Sequence, residues 1–223
     1  MHPILQDEPA IVREKAHPVL HVLANFFSYI FHPIFIPIYA ISFLVFLHPS
    51  YFTGFSEQRK IMTVVISSVN LVFFPLLSVA LLKALGFIDS IFLRTRKDRI
   101  IPYMACGIFF FWAYTVFNKQ TVYPPIMSSF VLGIFLASSA ALMANIYFKV
   151  SMHAIGVGGL IGLCIVVFNT NTMLMTWPLA AALLIAGIVC TARFLVSDHT
   201  QKDIYIGLAL GLIAQLVAGW ITL

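Results

Sequence analysis

Residues 204–223 read IYIGLALGLIAQLVAGWITL, 20 positions without a charge. A helix of about 20 apolar residues is what crossing the hydrocarbon core of a bilayer requires. The same measure applies up the chain. Residues 61–82 are charge-free for 22 positions and residues 100–118 for 19. Residues 120–148 run 29 positions, enough for one span after Tyr123-Pro124-Pro125. Residues 150–192 run 43 positions and must fold back once, for which Asn169-Thr170-Asn171-Thr172 is the natural turn. The run 16–56 is broken in its first half by His17, Pro18, His21, Asn25, His32 and Pro33. It reads as an interfacial amphipathic helix around 17–29 followed by a span near 30–47.

Seven segments result, roughly 30–47, 61–83, 101–117, 126–147, 154–169, 173–192 and 204–222, or six if the first is re-entrant. The runs are continuously apolar rather than alternating, which favours helices over a barrel. The expected fold is an all-α polytopic transmembrane bundle of six to seven spans. Residues 1–29 form an N-terminal interfacial segment and 30–223 a single membrane domain.

Composition agrees. Only 9% of the 223 residues are charged, 61% are hydrophobic, and the mean hydropathy is +0.99. A water-soluble domain carries about a quarter charged residues, so this chain cannot clothe its apolar surface in water. Soluble enzymes, disordered tails, fibrous repeats and nucleic-acid binders are excluded together. The net charge of +5 reflects a modest basic excess and does not call for a nucleic-acid partner. Cys106, Cys164 and Cys190 lie inside apolar runs without metal-ligand spacing, so they read as packing residues. The first 15 residues mix charge and proline and lack a signal-peptide layout. Nothing in the chain specifies an oligomeric state.

Charge is costly in a membrane protein, so its placement is the best functional clue. Three loops concentrate it: Arg94-Thr95-Arg96-Lys97-Asp98-Arg99, Lys149-Val150-Ser151-Met152-His153, and Arg193 through Asp203. They follow the second, fourth and sixth spans, and an even number of crossings separates them. All three therefore belong on one membrane face. His199 and Asp203 are four apart, neighbours on one face of a helix. A carboxylate there can hold an imidazole's tautomer and leave its other nitrogen free. Arg193, Arg96, Arg99 and Lys97 can bind phosphate oxygens, Ser151 offers a hydroxyl, and His153 a second acid or base. An anion cradle with positioned imidazoles suits phosphoryl transfer. Lys83, Lys149 and Lys202 read as topogenic, and His2, His17, His21, His32 and His48 as packed or interfacial. Gly156, Gly158, Gly159 and Gly162 read as packing positions. No Walker loop, dinucleotide fingerprint or zincin motif occurs, so neither nucleotide nor metal is expected.

These residues resemble the type-2 phosphatidic acid phosphatase superfamily, membrane lipid phosphatases related to vanadium haloperoxidases. Its three motifs are Lys-x6-Arg-Pro, Pro-Ser-Gly-His and Ser-Arg-x5-His-x3-Asp. Ala192-Arg193, His199 and Asp203 reproduce the third, with alanine for the serine. Val150-Ser151-Met152-His153 keeps the serine and histidine of the second. In the first, Pro102 puts Arg94 at the lysine position but Ile101 at the arginine position, and Arg99 or Arg96 is the substitute. The resemblance covers roughly residues 90–207. It implies a cofactor-free and metal-independent hydrolase of lipid phosphates or diphosphates, with the bilayer holding the substrate's tail. It implies His199 as the nucleophile forming a phosphohistidine, Asp203 orienting it, and His153 protonating the leaving alkoxide. Arg193, Ser151, Arg99, Arg96, Lys97 and Arg94 would bind phosphoryl oxygens. The altered motifs leave a second expectation, a relative that binds or moves phospholipids without hydrolysis.

Sidedness pulls two ways. The motif face with the N-terminus collects ten Lys and Arg residues against three on the other, which by the positive-inside rule is cytoplasmic. The resemblance implies the extracytoplasmic face of a bacterial inner membrane.

Overall fold

The computed structural model describes residues 17–93, 95–171, 174–197 and 199–223. Among these, eight helices and no strand occur. They are α1 (Pro18–Ile30), α2 (Ile36–Leu47), α3 (Glu57–Ala84), α4 (Arg96–Lys119), α5 (Pro125–Ala144), α6 (Met152–Thr170), α7 (Thr176–Val196) and α8 (Gln201–Thr222). The last six are each long and apolar enough to cross a bilayer. The chain is a polytopic helical membrane bundle.

The helices begin earlier than the charge-free runs because their first turns carry charge and are capped. Ser56 Oγ accepts the Arg59 N–H at 3.3 Å to open α3, and Thr95 Oγ1 accepts the Asp98 N–H at 3.1 Å to open α4. Capping side chains satisfy backbone donors that have no partner within the helix. In α3 a widened, π-helical turn at Val69–Phe73 precedes Pro75. Such a turn accommodates the residue that cannot donate to the helical ladder.

The short α2 lies alongside α6. At one end His32 lies against His153 at the start of α6, with ring centroids 5.2 Å apart. At the other, Asn171 Nδ2 donates to Ser50 Oγ at 2.6 Å and the Tyr51 hydroxyl meets Thr170 Oγ1 at 3.0 Å. The segment between them therefore runs the length of α6. Six helices are long enough to cross on their own, and α2 is shorter than any of them.

The core is built from α5, α6 and α8, with α4 and α7 flanking it, α3 outside α4, and α1 along α7. Between α6 and α8 the backbones nearly touch. A Cβ on Gly158 would strike the Leu208 carbonyl oxygen, and one on Gly211 would strike the carbonyl of Ile155. In lipid, helices associate through such close packing and interhelical polar contacts rather than by expelling water. The packing role read for these glycines is thus met at Gly158 by a specific partner. Trp177 and Trp220 stand exposed at the end of the bundle away from His153 and His199, as aromatic residues do at a membrane interface.

Candidate active site

Three connections meet at one end of the bundle: 85–93 with Thr95, 145–151, and His199 with Thr200. Arg99 ties two of them: its Nε donates to the Leu93 carbonyl and its Nη1 to the Val150 carbonyl, both at 2.8 Å. Arg96 Nη1 reaches the carbonyls of Ile146 and Tyr147 at 3.4 and 3.3 Å. The Asn145 amide returns a 2.8 Å bond to the Arg96 carbonyl. The first turn of α8 joins through the Ser151 N–H, which donates to the Asp203 carbonyl at 3.3 Å.

Arg96 and Arg99 share a face, as their spacing requires. They do not precede the helix, however; they occupy the first turn of α4, and both are buried. Thr95 caps one turn earlier than the hydropathy boundary, which draws the two guanidinium groups onto backbone carbonyls of the neighbouring connections. Lys97 is exposed. Arg94 lies outside the described residues.

Two further motif residues are helix caps. Ser151 is buried and its Oγ accepts the Ala154 N–H at 3.4 Å, opening α6. Thr200 and Asp203 form a capping box at the start of α8. The Asp203 carboxylate accepts the Thr200 N–H at 2.8 Å, and Thr200 Oγ1 accepts the Asp203 N–H at 3.1 Å. His199 stands just before this cap, outside the helix. The pairing of His199 and Asp203 across one helical turn is therefore not formed. Asp203 instead closes the turn that opens α8 just after His199.

The histidines gather beneath these connections. His199 is 4% exposed and lies beside the Lys149 backbone. Burial, then the charges of Arg99 and Arg193, then Lys149, push its pKa down to about 3. Its imidazole is neutral throughout the physiological range. His153 Nε2 lies 3.1 Å from the Ser28 carbonyl. A carbonyl can only accept, so Nε2 carries the proton and Nδ1 is the remaining basic atom. Arg193 Nη1 reaches Ser28 Oγ at 3.5 Å, and its charge is felt at His32, His153 and His199. Burial first, and Arg193 second, lower the His32 pKa.

Comparisons of the chain with family models, curated proteins and solved structures find no match. The geometry must carry the interpretation. It brings together His199, His153, Arg193, Arg99 and Ser151, from positions 99 to 199, in a bilayer protein where charge is sparse. Two members, His32 and Ser28, were not among the candidates drawn from sequence. A signal for His32 existed: it opens the first apolar segment, so counting spans puts it on the motif face. Ser28, in an apolar helix, carried none. Among the described residues no three His, Cys, Asp or Glu side chains converge as a metal-ligand set. A neutral buried imidazole beside two guanidinium groups can attack an electrophile that brings its own negative charge.

The brace and the cap are separable by substitution. Arg99→Lys keeps the charge but can satisfy only one of two carbonyls, and hydrogen bonds to charged groups contribute about 1.5–3 kcal/mol each. We expect unfolding in mixed micelles to show a loss of that order, while Lys97→Ala shows none. At Asp203, asparagine can still accept the Thr200 N–H and should keep stability near wild type. Asp203→Ala should cost about 1 kcal/mol, the usual magnitude for a lost cap. Equal losses for both Asp203 variants would mean that the carboxylate charge matters beyond capping.

Proposed function

We propose that the chain is a metal-independent membrane phosphatase that hydrolyses a lipid phosphate or diphosphate through a phosphohistidine at His199. The observation that carries this reading is the buried, neutral His199 in the combined field of Arg99, Arg193 and Lys149. Such a field favours an anion beside the ring and keeps the nucleophile unprotonated. The resemblance in motif spacing points to the same chemistry.

In the first step an imidazole nitrogen of His199 attacks phosphorus. A P–N bond forms as the ester P–O bond breaks, and a proton taken up from water at His153 Nδ1, once the bound phosphate's negative charge offsets that of Arg193, passes to the leaving alkoxide. In the second step neutral His153 accepts a proton from water. The water oxygen bonds phosphorus, the P–N bond breaks, and phosphate and neutral His199 are released. Phosphoryl transfer asks mainly for in-line positioning and charge stabilisation, which Arg193 and Lys149 can supply at a site fixed by Arg99 and the two caps. Splitting the displacement in two removes the need for a metal-activated water. The reading includes a bacterial inner membrane with the site on its extracytoplasmic face, following the resemblance.

A second reading, a relative that binds phospholipid without hydrolysis, is favoured by one observation. The Arg96 and Arg99 donors described above go to backbone carbonyls rather than into an open cradle. Purified protein in nanodiscs, given a panel of lipid mono- and diphosphates with EDTA present, separates the two. Release of phosphate, inhibited by vanadate, supports the phosphatase. Binding of the same lipids without release from any of them supports the second reading.

A further inference from the structure

Several donors of the candidate site are spent within the chain. Arg99 gives Nε and Nη1 to the Leu93 and Val150 carbonyls, Arg96 gives Nη1 to those of Ile146 and Tyr147, and His153 gives Nε2 to that of Ser28. His32, in the turn between α1 and α2, differs. Its Nδ1 accepts the Ile34 N–H at 3.4 Å. Burial, then the charge of Arg193, lower its pKa and keep the ring neutral. A neutral imidazole carries one ring proton, and a backbone N–H can only donate, so that proton sits on Nε2. Among the described residues Nε2 has no hydrogen-bond partner. The ring itself is held in place. His153 lies nearly perpendicular to it with centroids 5.2 Å apart, and Phe35 packs against it at 6.3 Å.

We propose that His32 is a further binding residue of the site, its Nε2–H donating to an oxygen of the substrate's phosphoryl group. The inference rests on reading the cluster as a phosphate site, but not on hydrolysis there. The charge of Arg193 is felt at His32, His153 and His199 alike, so an acceptor that brings negative charge is favoured over a neutral one. Hydrogen bonds to a charged oxygen are also shorter and stronger than those to a neutral one. With Arg96 and Arg99 turned onto backbone carbonyls, the imidazole supplies a donor that those first-turn arginines spend elsewhere.

The test measures binding of inorganic phosphate to the full chain in nanodiscs, with lipid-phosphate hydrolysis assayed beside it. His32→Phe keeps a ring against His153 but has no donor. His32→Asn can still accept the Ile34 N–H but does not reach the position of Nε2. Each should weaken phosphate binding at least about tenfold, the usual worth of a hydrogen bond to a charged group. Two such variants keep the test decisive should one of them fold poorly. His32→Gln carries an amide N–H to that position and should recover most of the loss. His21→Phe, exposed on α1, should bind as wild type does. Unchanged binding in His32→Phe or His32→Asn would overturn the proposal. So would an equal loss in His32→Gln, which marks a packing role, or a wild-type chain that binds no phosphate. Binding that depends on His32 in a protein that hydrolyses no lipid phosphate would retire the phosphatase reading alone. Hydrolysis with binding unchanged in His32→Phe would retire the role of His32 alone.

Discussion

His199→Ala should lower lipid-phosphate hydrolysis by at least about 10⁴-fold while the protein still purifies as a folded, monodisperse species. Losing a covalent nucleophile removes the whole two-step path, and residual turnover then comes from binding and electrostatics alone. Stability should change little by comparison. The substitution relieves the burial of an imidazole among cations. His153→Ala should be milder, in the range of about 10²–10⁴ associated with a general acid. Its deficit should shrink for substrates with an acidic leaving group, which need no proton. A His199→Ala protein with wild-type turnover would remove that residue from the mechanism.

Gly211→Leu should leave no folded protein to assay. A Cβ at this position would meet the Ile155 carbonyl oxygen and lie 2.8 Å from the Gly159 nitrogen, both backbone atoms with no rotamer to yield. Relief requires α8 to move from α6, and that separation also pulls on the Ser151 to Asp203 backbone bond at the site end. Overpacking of side chains alone costs about 1–3 kcal/mol. Displacing two backbones along the central contact should approach the whole stability of about 5–15 kcal/mol. Gly187→Leu, exposed on α7 with nothing within 4 Å of an added Cβ, is the matched control for helix propensity and should express normally. Loss of monodisperse protein for Gly211→Leu but not Gly187→Leu is the expected outcome in size-exclusion chromatography.

The bundle was legible because bilayer thickness fixes helix length, and the charge-free runs measure it. The runs beginning at residues 61, 100 and 204 each became one long helix. Ends were harder, because Glu57, Arg96 and Gln201 are polar and enter helices only through caps at Ser56, Thr95 and Thr200. The convergence of the three polar loops was also legible, since parity of crossings places them on one face. What the loops do with their side chains was not. Spacing put His199 and Asp203 on a common helical face, but the capping box starts α8 after His199 and claims the carboxylate. Spacing alone equally could not say that Arg96 and Arg99 would turn onto carbonyls near Val150, a contact between residues about 50 apart in the chain.

The most direct test of the account is a trapping experiment. Wild-type protein is mixed with ³²P-labelled lipid phosphate, quenched in alkali within the first turnovers, and mapped by peptide sequencing. A phosphohistidine is stable in alkali and labile in acid. The account predicts label on His199, accumulating in a variant whose second step is slowed, such as His153→Ala with a good leaving group, and absent from His199→Ala. Phosphate release without any label on His199 would contradict it.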